Sequence, residues 1–191
     1  MNSPVNQRII DVATELFAQK GYGSTSVREL VEAVGVTKPT LYYHFGSKEG
    51  LFLATAQAHI DTIEQVVRES LEQGDTLSDK LEALLACNIQ FALERPDVLR
   101  FLTTCLHQVD HGQPEIDLKT VDTTTYFHLT SAFEAAIERG ELSSEFDAVV
   151  AAISFLGILR GWTFAAFHGA PIHPDTARTA VHHFLHGIYP R

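Results

Sequence analysis

An all-α fold is predicted for this chain of 191 residues by three observations. Apolar residues recur at the helical period in the long segments, no stretch alternates apolar and polar like a half-buried strand, and Gly or Pro interrupts the pattern at helix-length intervals. About nine helices result. They group as an N-terminal three-helix domain over residues 1–46 and a C-terminal helical bundle over 47–191.

The first helix carries Ile9, Val12, Ala13, Leu16 and Phe17 at i, i+3, i+4, i+7 and i+8, and Lys20-Gly21 closes it with a cation and a C-terminal glycine. Gly21-Tyr22-Gly23 then reads as a turn, because a phosphate-binding glycine loop would need a preceding strand. Val27, Leu30, Val31 and Val34 make a second helix over residues 26–34, with Ser26 and Glu29 in capping-box spacing. Gly35 follows, and Thr37 is placed to cap a third helix with Pro39 in its first turn. Helix, glycine turn, helix is the helix-turn-helix arrangement.

The third helix, Thr37-Lys-Pro-Thr-Leu-Tyr-Tyr-His-Phe45, carries most of the functional signal. At about 100° per residue, Leu41 and Phe45 lie about 40° apart and form an inner apolar edge. Thr40 and Tyr43 fall on the opposite face with Pro39 between them, and Tyr42 and His44 take the flanks. Such a helix can lie in a major groove with its far face at base edges and its flanks at phosphates. Ser47 caps the next helix, whose first-turn Lys48 can meet a phosphate.

Residues 47–73 form a long helix with Leu51, Ala54, Ala58, Ile63, Val66 and Val67 on its apolar side, ended by Gly74. Ser78 is read as the cap of the next, with Leu81, Leu84, Leu85 and Ala92 inward. Arg95-Pro96 breaks the chain before a short helix to about His107, and a loop follows at 111–114. Helices over 116–139 and 144–168 are separated at Gly140. The last begins near Pro174 and places Ala177, Ala180, Val181, Phe184, Leu185 and Ile188 on one stripe.

Residues 8–53 resemble the DNA-binding domain of the TetR family of transcriptional regulators, with Phe17, Gly21, Thr25, Val27, Leu30, Gly35, Val36, Leu41, Tyr42, Phe45, Lys48 and Leu51 at the pattern positions. The resemblance implies a homodimer with one helix-turn-helix per subunit, a palindromic double-stranded DNA operator, and a C-terminal domain that binds a small-molecule inducer. It implies that Arg28, Lys38, Pro39, Thr40 and Tyr43 face bases, and that Thr25, Ser26, Tyr42, His44 and Lys48 face phosphates, with Thr37 in the same surface. Lys38 would be a determinant of operator choice, since a lysine there can meet guanine O6 and N7.

The net charge of −10 argues at first against a nucleic-acid partner. Through residue 50, however, Arg8, Lys20, Arg28, Lys38 and Lys48 balance Asp11, Glu15, Glu29, Glu32 and Glu49, so the deficit belongs to the rest of the chain. A neutral reading head on an acidic body favours one orientation on DNA and keeps non-specific affinity modest.

The helix over 147–168 is apolar nearly all round. Arg160 within it argues against a membrane span, so it must be buried on more than one side. Pairing it and the last helix with their copies in a second subunit gives a four-helix dimer interface, with Phe155, Ile158, Trp162, Val181, Phe184 and Leu185 as contact residues and Gly157 and Gly161 allowing close approach. The N-terminus lacks a signal peptide, and a cytoplasmic protein is expected.

Cys87 and Cys105 read as buried free thiols rather than redox sensors. His107, Asp110 and His111 would suit a metal only if one helix ran through all three. Gly112 and Pro114 argue against that, and His182 and His186 read as solvated at a helix C-terminus, so neither metal nor cofactor is expected. An apolar or aromatic ligand is expected among the middle helices, lined by Phe91, Phe101, Phe127 and Phe133, with Asn88, Thr104 or His107 as polar contacts. No nucleophile and base pairing stands out, so an enzyme is not expected. The leading reading is a homodimeric repressor released by an inducer. Alternatives are a helical small-molecule or metal-binding protein whose N-terminal domain is only structural, and a DNA-binding protein whose signal is another protein.

Overall fold

A computed structural model describes residues 3–107, 112–116 and 119–187, which hold nine helices and no strand. In chain order they are α1 (Pro4–Ser24), α2 (Val27–Val34), α3 (Lys38–Phe45), α4 (Lys48–Glu72), α5 (Leu77–Glu94), α6 (Pro96–His107), α7 (Lys119–Glu138), α8 (Ala148–Phe167) and α9 (Thr176–His186).

The chain forms two compact units, and they do not follow the expected boundary after residue 46. Residues 1–61 with 95–118 make the first, and 62–94 with 119–191 the second. The difference arises because α6 returns to pack along α1. Phe101 of α6 is fully buried against Phe17 of α1 and Phe52 of α4, with ring centroids 6.2 and 5.4 Å away. Burying a phenylalanine side chain contributes about 1.5 to 3 kcal/mol, enough to hold a short helix in place. Beside this cluster, His59 of α4 meets Thr14 of α1, Nε2 to Oγ1 at 2.7 Å, while the Thr14 hydroxyl donates to the Ile10 carbonyl. Both side chains are buried.

In the second unit α5 packs against α8 and α9, and α7 against α8. Its core is formed by Leu81, Leu84 and Leu85 of α5, Leu129 and Phe133 of α7, Phe155 and Leu159 of α8 and Val181 of α9. Phe155 and Val181 are therefore core residues of one subunit, which corrects their assignment to a contact between subunits. Ile158, Trp162, Phe184 and Leu185 are half-buried, and the Phe184 ring touches those of Phe133 and Phe155. The outward stripe of α8 is different: Val150, Ile153 and Phe164 are 59, 57 and 64% exposed, with Gly157 and Gly161 open between them. An all-apolar helix gives no periodicity from which to tell its inner side from its outer one.

Helix starts also differ in places. Thr76, not Ser78, caps α5: its Oγ1 accepts the Asp79 N–H at 3.2 Å and Asp79 Oδ2 takes the Thr76 N–H at 3.1 Å. Ser78 turns instead to Glu82. Asp147 caps α8 through the N–H groups of Val149 and Val150, so this helix begins later than residue 144. By length and composition α8 could cross a membrane.

Candidate nucleic-acid interface

The α2–α3 pair is built from local contacts that the sequence dictates. Ser26 Oγ accepts the Glu29 N–H, and Glu29 Oε2 accepts the Ser26 N–H, so the capping box is complete at the start of α2. Lys20 adds an ion pair at 2.6 Å, and these bonds, the lysine's first, hold the Glu29 carboxyl down at about 2. Gly35 ends α2 at φ 77° and ψ 36°, a left-handed conformation that a side chain would strain, and its N–H closes on the Val31 carbonyl. Thr37 Oγ1 then accepts the Thr40 N–H at 3.3 Å and lies 2.9 Å from the Thr40 hydroxyl, starting α3 with Pro39 in its first turn.

Leu41 is fully buried and Phe45 half-buried, so the inner edge of α3 is where helix geometry puts it. Lys38 and Pro39 are exposed, Thr40 is half-exposed, and Tyr43 is 86% exposed with its ring edge-on to His44 at 5.1 Å. Tyr42 is exposed on the flank and His44 half-exposed. Arg28 on α2 is exposed and ion-paired to Glu32 at 2.7 Å, which raises its guanidinium pKa further. Ser26 is exposed with its hydroxyl committed to the cap.

Two residues expected at phosphates are occupied elsewhere. Thr25 is 1% exposed and its hydroxyl donates to the Gly21 carbonyl at 2.8 Å, so its side chain closes the α1–α2 turn instead of facing solvent. Lys48 Nζ donates to the carbonyls of Tyr22 at 2.7 Å and Thr25 at 2.9 Å and sits 4.1 Å from the centre of the Tyr22 ring. The ammonium thus clamps the same turn from α4, a contact across more than twenty residues that local reasoning cannot see. Gly50 was also missed: a Cβ there would lie 2.1 Å from the Phe45 carbonyl oxygen, so only glycine lets the first turn of α4 approach the end of α3.

The expected ligand-lining residues fall in both units. Phe101 and Thr104 belong to the first unit, where Phe101 is core and the Thr104 hydroxyl bonds the Phe101 carbonyl. In the second unit Phe133 is core, Phe127 is exposed, Phe91 is half-buried and Asn88 donates its side-chain N–H to the Leu84 carbonyl. Among them only Phe133 lines the apolar cleft of about 210 Å³ formed with Leu142, Phe146, Val150, Phe184 and neighbours. The His107 side chain, Asp110 and His111 lie outside the described residues. Cys105 is buried, which pushes its thiol up to about 12, while Cys87 is half-buried; both are free.

A fully capped helix-turn-helix with polar and aromatic side chains turned outward on its second helix defines an all-α, helix-turn-helix DNA-binding class. Residues 9–55 match the family model of bacterial regulatory proteins, tetR family. The transcriptional activator FasR of Mycolicibacterium smegmatis is 33% identical over 84 residues, 44% of this chain and 38% of FasR. The transcriptional repressor ComR of Escherichia coli is 40% identical over 83 residues, 41% of this chain and 40% of ComR. These matches thus span well under half the length of either relative. The fatty acid degradation regulator FadR of Bacillus halodurans superposes with a TM-score of 0.78 over 100% of both chains at 20% identity, a likeness of fold. The similarity to the tetR family thus lies in residues 9–55.

Proposed function

We propose that this protein is a homodimeric transcriptional repressor that binds a palindromic operator through α2 and α3 and is released by a small-molecule inducer. The observation that carries the reading is α3 itself, anchored through fully buried Leu41 and showing Lys38, Thr40, Tyr42 and Tyr43 to solvent. Residues 1–46 are the reading part in this proposal, and 47–191 bind ligand and the second subunit. The outward apolar stripe of α8 supports the dimer, because a cytoplasmic protein must cover such a face and two-fold pairing does so. Two reading heads would then meet half-sites about 34 to 36 Å apart, and an inducer that prefers another spacing releases DNA with a coupling of about 1 to 3 kcal/mol. The similar proteins include the repressor ComR and the activator FasR, so the sign of regulation is the proposal's own. The inducer is read as apolar, in keeping with a body whose described cleft is lined by Phe133, Phe146 and Phe184.

The test is selection of bound fragments from genomic DNA, followed by footprinting. An inverted repeat protected symmetrically is the expected result. Recovery of no enriched sequence by a folded, dimeric protein would remove the proposal.

A further inference from the structure

Arg28, in the first turn of α2, donates from Nε to Glu32 Oε1 at 2.7 Å, one turn along the same helix, and the two side chains remain 79 and 60% exposed. An exposed pair at this spacing stabilises a helix by only about 0.3 to 0.5 kcal/mol, too little to be its main consequence. Its geometry has a larger one. A guanidinium held at Nε is biased toward one plane, more firmly once DNA excludes water from the pair, and the terminal Nη edge is left to meet a partner. Two N–H groups in one plane are what guanine O6 and N7 accept in the major groove. The other nearby acid, Glu29, is engaged by Lys20 and by the Ser26 N–H, so orienting Arg28 falls to Glu32.

We propose that Glu32 is a positioning residue for base reading, holding Arg28 with its Nη edge toward a guanine of the operator half-site. The inference rests on the reading of Arg28 as base-facing. A carboxylate beside DNA repels phosphates, so Glu32 lowers affinity for every sequence. What it supplies in return is a pre-set side chain with fewer torsions to freeze on binding, and hence a sharper penalty for the wrong base.

Three variants of the full chain separate the possibilities: Arg28→Ala, Glu32→Ala and Glu32→Gln. The glutamine keeps an oxygen acceptor at the same reach and removes the charge. Each is tested by selection from a pool randomised across one half-site, with the salt dependence of binding and the thermal melt recorded alongside. Arg28→Ala is expected to lower preference at one base pair about tenfold or more, the worth of a bidentate contact. Glu32→Ala should lower preference at that same base pair about three- to tenfold while binding random DNA more tightly, and Glu32→Gln should stay within about twofold of the parent in preference. If Arg28→Ala loses the preference and Glu32→Ala keeps it, positioning by Glu32 is wrong and Arg28 remains a reader. If Arg28→Ala keeps the parent's preference, Arg28 is not base-facing and both readings fall. Equal losses in the alanine and glutamine variants would make the effect one of charge alone, which also overturns the positioning role.

Discussion

Two helices of this chain turn a face outward that their own unit does not cover, with opposite chemistry. Helix α3 offers Lys38, Thr40, Tyr42 and Tyr43, whereas α8 offers Val150, Ile153 and Phe164 around two bare glycines. A charged and aromatic face stays soluble by itself and suits a wet, polyanionic partner. An apolar face with room for close backbone approach suits a dry partner of its own kind. The same opposition appears in length. Eight-residue α3 is too short to persist alone and depends on caps and on Leu41, while twenty-residue α8 depends on packing.

The largest expected effect attacks the α8 side of this contrast. In the double variant Ile153→Asp with Phe164→Asp, dimerisation should weaken at least about hundredfold, because four carboxylates would lose water without gaining partners. Sedimentation at micromolar concentration checks it, and a variant that remains dimeric would place the subunit contact elsewhere.

Next comes the inner side of the reading unit. His59 is held neutral, down at about 4 against an ordinary 6.5, first by burial and then by the charge of Arg95. The unfolded chain takes up a proton near pH 6.5 and the folded one resists until about 4. The stability of this unit is thus complete above pH 6.5 and is lost as pH falls through that window, by roughly 3 kcal/mol in all. Urea melts at pH 7 and 4.5 should show a smaller difference for His59→Gln; equal differences would mean that His59 titrates freely.

On the outer side, Lys38→Ala should change base preference at one position per half-site at a cost of about 1 to 3 kcal/mol. An unchanged consensus from a random pool would exclude Lys38 as a reader.

The smallest effect on binding is expected at Lys48, which clamps two carbonyls. Lys48→Ala should lower the melting stability by about 1 to 3 kcal/mol. The salt slope of DNA binding should stay unchanged, and a slope flattened by about one unit would restore Lys48 to the phosphate surface.

Among the residues misread, Lys48 and Phe101 take their roles from chain segments far away in sequence, Phe155 from the direction in which α8 is packed, and Thr25 from a turn that begins four residues before it. Those read correctly, such as the Ser26 and Glu29 box, the Gly35 turn, the Thr37 cap and buried Leu41, are settled within one or two helical turns. The Thr76 cap is local as well, since Asp79 three residues on pairs with it, so reading Ser78 as the cap has no long-range cause.

Sequence by itself therefore determined the helices, the helix-turn-helix and the outward chemistry of α3, because caps, turns and the 3.6-residue period are short-range properties. Tertiary structure alone decided that α6 joins the first unit, that Lys48 is a clamp, and which side of α8 faces out. Each of these depends on which distant side chains fill a shared volume, and periodicity along one segment carries no record of what packs against it.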